Sequence, residues 1–177
     1  MSSIHESRLR HYVYKMKGDT VSLNTPTIRE SLISGLGGFL AIGILGCLTV
    51  LFEFPWLMAP FGASCVLAFS AHKGPFSQPR AIIGGHMVST LIGLVVLQLF
   101  GDTWWSIALA VFLAIVGMML TRTIHPPAGA DPIVVIMGNS GWLILIHPVL
   151  LGSITLVVIA LLYNNLFRER QYPQYWW

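Results

Sequence analysis

Two long stretches of this sequence contain no Asp, Glu, Lys or Arg. Residues 31–52 have the thiol of Cys47 as their one ionisable side chain, and residues 143–167 are interrupted by His147. Each stretch exceeds the roughly 20 residues that a helix needs to cross a hydrocarbon core about 30 Å thick. Only 10% of the 177 residues are charged, against about 25% in soluble domains. We therefore predict an all-α integral membrane protein.

Six apolar stretches can be distinguished, of which the second and fifth are short and rich in glycine, alanine and proline. Their bounds are 31–52, 56–71, 82–100, 103–121, 128–138 and 143–167. If the two short stretches dip in and return, the chain has four full spans; if they cross, it has six. Because about twelve helical residues cover only about 18 Å, a short stretch that crosses must do so partly as extended chain.

The placement of lysine and arginine favours six crossings. Basic residues precede the first stretch and predict a cytoplasmic N-terminus: Arg8, Arg10, Lys15, Lys17 and Arg29. With six crossings the other basic residues also lie inside, namely Lys73, Arg80, Arg122, Arg168 and Arg170. Four tryptophans then share the outer interface, which suits their preference for headgroups: Trp56, Trp104, Trp105 and Trp142. The predicted parts are a cytoplasmic segment (1–30), a transmembrane domain (31–167) and a cytoplasmic tail (168–177).

The two halves of the transmembrane domain resemble each other. The sequence FLAI at 39–42 recurs at 112–115, and Pro60–Ser64 (PFGAS) matches Pro127–Asp131 (PAGAD). Because three crossings separate the halves, repeat 1 (31–100) and repeat 2 (103–167) should have opposite orientations. The predicted fold is thus two inverted three-helix repeats, an architecture that many secondary transporters share.

The matched interruptions predict a binding site. Each short segment should become helical near Gly62 or Gly129, with its first N–H groups unpaired and partly positive near the bilayer midplane. Two facing helix N-termini suit a small anion. The alternative is that proline and glycine only kink these helices for packing. The predicted binding residues are Pro60, Gly62, Ala63, Ser64, His125, Pro126, Pro127, Gly129, Ala130 and Asp131.

Two of these residues have competing interpretations. Asp131 is either a proton-coupling group, since carboxylates in hydrocarbon are expensive and usually functional, or a helix cap or partner of Arg122. His125 either donates to an anion and shuttles protons or orients the proline turn that follows it. Ser64 is the equivalent of Asp131 in the first repeat. Secondary candidates are His86 in the third span and, at the cytoplasmic mouth, Gln78 and Arg80.

Several motifs resemble the HPP family of integral membrane proteins, named for a His-Pro-Pro tripeptide. They are TIHPPAGADP at 123–132, PFGAS at 60–64, QPR at 78–80 and IGGH at 83–86. Plant-plastid and cyanobacterial members are described as nitrite transporters, so the resemblance implies a nitrite-class anion as substrate. The family is usually described as having four spans, whereas the charge pattern here favours six.

The function that these observations favour is a permease or channel for a small inorganic anion, nitrite above all, with protons as a possible second solute. A non-transporting scaffold or sensor is the alternative. An intramembrane enzyme is disfavoured because the sequence has no H-E-x-x-H, paired catalytic carboxylates or G-x-S-x-G elbow. No metal, cofactor or nucleic acid is expected. We expect a homodimer or larger assembly in a bacterial inner membrane, with both termini cytoplasmic.

Overall fold

The computed structural model describes residues 10–16 and 25–177, and the regular elements in these ranges are all helical. The predicted cytoplasmic segment 1–30 thus lies partly outside the described residues, with Arg8 and Lys17 among those not covered. The α-helices are α1 (10–16), α2 (Ile28–Phe52), α3 (Pro60–Cys65), α4 (Pro79–Phe100), α5 (Trp104–Leu120), α6 (Asp131–Met137) and α7 (Leu151–Asn164).

Shorter turns extend several of these helices. A π-helical turn, Val66–Ser70, continues α3, and a 3₁₀ helix, Pro126–Ala130, leads into α6. The stretch Trp142–Leu150 forms a 3₁₀ and a π-helical turn ahead of α7. A separate 3₁₀ turn covers Pro75–Ser77. Apart from α1 and this short turn, the described residues therefore form six helical segments, which we number 1 to 6: 28–52, 60–70, 79–100, 104–120, 126–137 and 142–164.

Three of the six segments are long and apolar enough to cross a membrane: Ile28–Phe52, Pro79–Phe100 and Trp142–Asn164. Pro60–Ser70 and Trp104–Leu120 are apolar but shorter. The six segments coincide with the six apolar stretches of the sequence, and the chain is an integral membrane protein built from helices.

Local sequence explains where the segments begin and end. Thr27 caps α2 by a reciprocal capping box with Glu30, and Thr103 caps α5 in the same way with Ser106, each box satisfying N–H groups that a helix start leaves unpaired. Segments 2, 3 and 5 instead begin with proline at the first turn, where a missing N–H costs nothing. Gly101, at φ 70°, ends α4 in a conformation that glycine adopts without strain.

Hydrogen bonds between loops and segment ends show which ends lie on the same side of the bundle. Ser34, near the start of segment 1, donates to the carbonyl of Phe69 at the end of segment 2 (2.9 Å). Arg80, at the start of segment 3, donates to the carbonyl of Thr121 after segment 4 (2.9 Å). The guanidinium of Arg170, beyond segment 6, donates to both Ser34 and Phe69. We call this the basic end, because these loops and segment ends carry Arg29, Lys73, Arg80, Arg122, Arg168 and Arg170.

The opposite set of ends carries the tryptophans. The backbone N–H of Trp56, before segment 2, donates to the hydroxyl of Thr49 near the end of segment 1 (3.0 Å). The indole ring of Trp56 packs against His147 at the start of segment 6, and Phe100 at the end of segment 3 packs against Trp105. Segments 1, 2, 3, 4 and 6 therefore run between the basic end and this tryptophan end, and segments 1 to 4 alternate in direction.

Close packing of segment 3 against segment 5 sets up the interior. A Cβ at Gly85 would lie 2.6 Å from Cβ of His125, and one at Gly93 would lie 2.9 Å from Cα of Pro132. Real Cβ atoms do not approach so closely, so glycine is required at both crossings. The segment that contains the second predicted repeat motif is thereby held against α4, which carries His86.

Candidate functional site

Four polar side chains, from segments 2, 3 and 5 and from the residue just before segment 5, form a continuous hydrogen-bonded chain inside the bundle. Asp131 Oδ2 lies 2.7 Å from His86 Nδ1, and His86 Nε2 lies 2.9 Å from Ser64 Oγ. Ser64 Oγ also lies 2.8 Å from His125 Nε2. All four residues are completely buried. We call Asp131, His86, Ser64 and His125 the buried polar chain.

Both ends of the buried polar chain have further partners. His125 Nδ1 donates to the carbonyl oxygen of Phe76 at 2.7 Å, which ties it to the 3₁₀ turn Pro75–Ser77 at the basic end. Thr90 Oγ1 donates to Asp131 Oδ2 at 3.3 Å, whereas Asp131 Oδ1 has no hydrogen-bond partner. The buried polar chain thus leads from the Asp131 carboxyl group, which has one oxygen without a hydrogen-bond partner, to the backbone carbonyl of Phe76 at the basic end.

The four residues of the buried polar chain lie on different elements of secondary structure, which set the positions of their side chains. Ser64 lies on α3 and Asp131 is the first residue of α6, while His125 is in extended conformation just before the 3₁₀ helix. His86 lies on α4, about 10 Å along the helix from Pro79 at 1.5 Å per residue. The ring of Phe61 packs edge-on against the His86 imidazole, with centroids 5.1 Å apart. Apolar contacts of this kind keep the imidazole planes fixed between their partners.

An apolar groove runs along the two interrupted segments next to the buried polar chain. It has a volume of about 640 Å³ and is lined by Ala59, Pro60, Ala63, Val66, Leu67, Pro126, Pro127, Ala130 and Val134. Three of these wall residues are direct sequence neighbours of Ser64, His125 and Asp131. The polar chain therefore lies immediately behind an apolar wall formed by the predicted repeat motifs. Gly62 and Gly129 have open space where a Cβ would point.

The expectation that the half-helices start with unpaired N–H groups is wrong at three positions. The N–H of Phe61 donates to the carbonyl of Met58, and that of Gly62 donates to Ala59. In segment 5 the N–H of Ala128 donates to His125. Each of these N–H groups donates to a carbonyl three residues earlier, because a turn precedes the start of each helix. Side chains, not these backbone groups, are the donors available in the interior.

The carboxyl group of Asp131 does not serve either structural role considered from the sequence. It makes no cap hydrogen bond at the start of α6, and Arg122, an exposed residue, is not its partner. His86 occupies that place instead. The imidazole of His86 therefore bridges Ser64 and Asp131, which the sequence comparison had identified as equivalent positions of the two halves.

Of the two residues predicted to recruit anions at the cytoplasmic mouth, Gln78 has its side chain fully buried and Arg80 does not. Gln78 is completely buried, and its amide donates to the carbonyls of His72 and Gly74 while accepting from the N–H of Gln174. A side chain so occupied cannot recruit anions, and that expectation is wrong. Arg80 is half-buried and donates to Thr121 at the basic end.

Three contributors were missed from the sequence. Thr90 lies four residues after His86 on the same helix face, a spacing that signals shared contacts. The carbonyl of Phe76 and the ring of Phe61 carry no sequence signal, because any residue supplies a carbonyl and phenylalanine is common in membrane helices. In the described part of the chain, no three His, Cys, Asp or Glu side chains are grouped so as to hold a metal ion.

Comparison with known proteins supports the family assignment. Residues 23–173 match the transmembrane region of the HPP family. A transmembrane protein of Dictyostelium discoideum is 38% identical over 178 residues, covering 94% of this chain and 57% of its own length. A second Dictyostelium transmembrane protein is 37% identical over 129 residues, covering 68% of this chain and 45% of its own.

This chain thus spans about half the length of the curated relatives it matches. No solved structure matches it. The match to the HPP transmembrane region extends over most of the sequence and includes every helical segment of the bundle and all four members of the buried polar chain. The chain belongs to the HPP family of transmembrane proteins.

Proposed function

We propose that the protein is a membrane permease for a small inorganic anion, nitrite being the substrate favoured by the family resemblance. The observation that carries this proposal is the buried polar chain itself. A carboxyl group deep in a membrane bundle costs roughly 2.5–3.5 kcal/mol on insertion scales, and such groups usually belong to a solute or proton pathway. A scaffold that only packs apolar helices has no use for four linked polar side chains.

The proposed permease crosses the membrane six times, with both termini in the cytoplasm and the basic end inside. Two features support this arrangement. Ser34, in the second turn of segment 1, is hydrogen-bonded to Phe69, which lies at the end of segment 2. Segment 1 leads away from this side of the bundle and segment 2 ends back on it, so segment 2 traverses the bundle and does not return to its own starting side. The basic residues then all lie on one side, as the positive-inside rule expects.

The polarity of the basic end favours an anion over a cation. A cavity of about 840 Å³ opens there, with Arg29, Lys73 and Arg170 against the carboxylates of Glu30 and Glu169. Surplus positive charge raises the local concentration of anions. In the interior, the imidazoles and the Ser64 hydroxyl are the hydrogen-bond donors closest to the apolar groove. We propose that an anion reaches them when the wall formed by Ala63, Pro126 and Ala130 moves aside.

A hydrolase is the second candidate, because Ser64, His86 and Asp131 have the connectivity of a serine catalytic triad. Oγ faces Nε2 and the carboxylate faces Nδ1, as acyl-transfer chemistry requires. Two observations favour transport. Ser64 is completely buried, and its hydroxyl contacts a second imidazole that the triad does not employ. Labelling of Ser64 by a fluorophosphonate would establish the hydrolase instead.

Transport is tested by reconstituting the purified protein in liposomes and measuring uptake of nitrite, nitrate, formate, chloride and a neutral solute. We expect nitrite uptake above that of protein-free liposomes, with exclusion of the neutral solute. Equal leakage of all solutes, or no flux at all, would exclude the permease. We also propose that the working form is a homodimer or larger assembly in a bacterial inner membrane, which native mass spectrometry tests; a monomer would exclude this.

A further inference from the structure

We propose that the buried polar chain holds one labile proton on the Asp131–His86 pair and passes it through Ser64 to His125 at the basic end. The pair is then the proton site of an anion–proton cotransporter. The coupling to an anion rests on the proposed function, whereas the proton count follows from the hydrogen bonds alone.

The carbonyl of Phe76 fixes the direction of every bond in the chain. A carbonyl oxygen can only accept, so His125 Nδ1 must carry the proton in its 2.7 Å contact with Phe76. In a neutral imidazole the other nitrogen is then an acceptor. His125 Nε2 therefore accepts the 2.8 Å hydrogen bond, and Ser64 donates it. The carbonyl of Pro60, the other acceptor near the Ser64 hydroxyl, is farther away at 3.3 Å.

The single hydroxyl proton of Ser64 determines the state of His86. Because Ser64 donates to His125, its oxygen must accept in the 2.9 Å contact with His86, so His86 Nε2 carries a proton. His86 Nδ1, 2.7 Å from Asp131 Oδ2, then needs one more proton between them. Whether that proton resides on the carboxyl group or on the imidazole, the pair holds it and has no net charge.

Loss of this proton leaves the chain with two defects. Asp131 becomes an anion with donors on Oδ2 alone, since Oδ1 has no partner. With His86 then protonated at Nδ1, the nitrogen atoms of His86 and His125 that face Ser64 are both acceptors, and one hydroxyl proton cannot serve both. The observed arrangement is therefore the proton-loaded form, and unloading must separate Ser64 from one imidazole.

Proton transfer along the chain is balanced atom by atom. The Asp131 O–H bond breaks as N–H forms at His86 Nδ1. The His86 Nε2–H bond breaks as O–H forms at Ser64, whose original O–H proton moves to His125 Nε2. The products are the Asp131 carboxylate, a neutral His86 and a His125 imidazolium, which still donates to Phe76. One positive charge has moved from the interior to the basic end.

Few other ionisable groups surround this pathway. Segments 2, 3 and 5 with the loop before segment 5 add only Cys65, Arg80 and Arg122 to the members of the chain, and both arginines lie at the basic end. The turns between segments 2 and 3 add His72 and Lys73, also at the basic end. The helices packed behind add Arg29 and Glu30, which line the cavity at the basic end. They also add Cys47, His147 and Tyr163, whose described contacts lie elsewhere: Cys47 is exposed, His147 packs on aromatic rings, and Tyr163 donates to Ile33.

A spectroscopic experiment tests the proton count without any transport. In ¹⁵N-histidine-labelled protein in bilayers at neutral pH, we expect His86 to be protonated at Nε2 and His125 at Nδ1, assigned with the His86→Gln and His125→Gln variants. Infrared difference spectra against Asp131→Asn should show a protonated carboxyl band, or NMR should show a doubly protonated His86. A His86 protonated at Nδ1 alone, with an Asp131 carboxylate, would overturn the proposal.

A flux experiment tests the relay. Ser64→Ala removes the hydroxyl and should reduce pH-driven net nitrite uptake by about 100-fold, a typical loss when a positioned proton carrier is removed. Nitrite–nitrite exchange needs anion binding but no net proton transfer, so it should fall by a clearly smaller factor. Ser64→Thr retains the hydroxyl and should recover net uptake.

Ser89→Ala, which removes another buried hydroxyl that bonds only to Ala128, is the matched control and should resemble wild type. Equal loss of exchange and net uptake in Ser64→Ala, or wild-type net uptake in it, would overturn the relay. Absence of nitrite flux in the wild type would instead reject the proposed function.

Discussion

Asp131 and His86 meet at 2.7 Å inside the bundle although 45 positions separate them in the chain. One is the first residue of α6 and the other lies in α4, and close packing of the two segments at Gly85 and Gly93 makes the contact possible. The candidate site therefore depends on the packing of segment 3 against segment 5. A substitution that disturbs this packing should also disturb the buried polar chain, and the reverse should hold.

Replacing His86 with alanine should destabilise the protein strongly. The substitution removes a partner from both Ser64 and Asp131 and leaves the buried Asp131 carboxyl group with only the 3.3 Å hydrogen bond from Thr90. Losses of about 3–5 kcal/mol are typical when one partner of a buried pair is removed. The free energy of unfolding in mixed detergent micelles measures the effect. His147→Ala is the control: that ring packs on Phe54 and Trp56, and losing such a contact should cost about 1 kcal/mol. Equal losses in the two variants would contradict the network's role in stability.

The sequence alone predicted an all-helical membrane protein and the positions of its six helical segments, because apolar length is a local property. It also identified Ser64, His125 and Asp131, because a proline-glycine interruption repeated in both halves is visible without knowing the packing. It underestimated His86, whose partners come from two other segments and depend on how α4 packs. Nothing in the sequence indicated that the Gln78 side chain and the backbone N–H groups of Phe61 and Gly62 are already hydrogen-bonded within the protein. Hydrogen bonds inside a turn depend on the backbone conformation and leave no pattern in the amino-acid composition.

Gly85→Ala should loosen the packing of segment 3 against segment 5. The new Cβ would lie 2.6 Å from His125 Cβ and 2.8 Å from the carbonyl of Thr123, and overpacking of this kind costs about 1–3 kcal/mol. Gly43→Ala is the matched control, because its Cβ would meet nothing within 4 Å and alanine is the better helix former by up to about 1 kcal/mol. Thermal unfolding in detergent distinguishes them; a Gly85→Ala protein as stable as wild type would show that α4 can shift freely.

Acid should destabilise the basic end through His72. Burial, with Arg170 and Lys73 nearby, lowers the pKa of His72 from its ordinary 6.5 to about 4. Between these values the unfolded chain binds a proton that the folded protein does not, so stability falls as the pH drops through this window. His72→Asn should therefore show a shallower loss of stability than wild type between pH 6.5 and 4. Parallel pH profiles of the two proteins would contradict this assignment.

Sidedness of the loops tests the six-crossing arrangement. Single cysteines at positions 73 and 122, in a background lacking Cys47 and Cys65, should react with a membrane-impermeant maleimide only after the cytoplasmic face is exposed. A cysteine at position 102, between segments 3 and 4, is the control and should react from outside. Labelling of positions 73 and 122 from outside intact cells would require the four-span topology instead.

The stoichiometry of cotransport tests the central claim most directly. Liposomes containing wild-type protein and a trapped pH indicator allow nitrite and proton fluxes to be recorded together. Because the Asp131–His86 pair holds a single proton, we expect one proton to accompany each nitrite ion in the same direction, and both fluxes to be lost together in Asp131→Asn. Nitrite entry without proton movement, or unchanged cotransport in Asp131→Asn, would contradict the account.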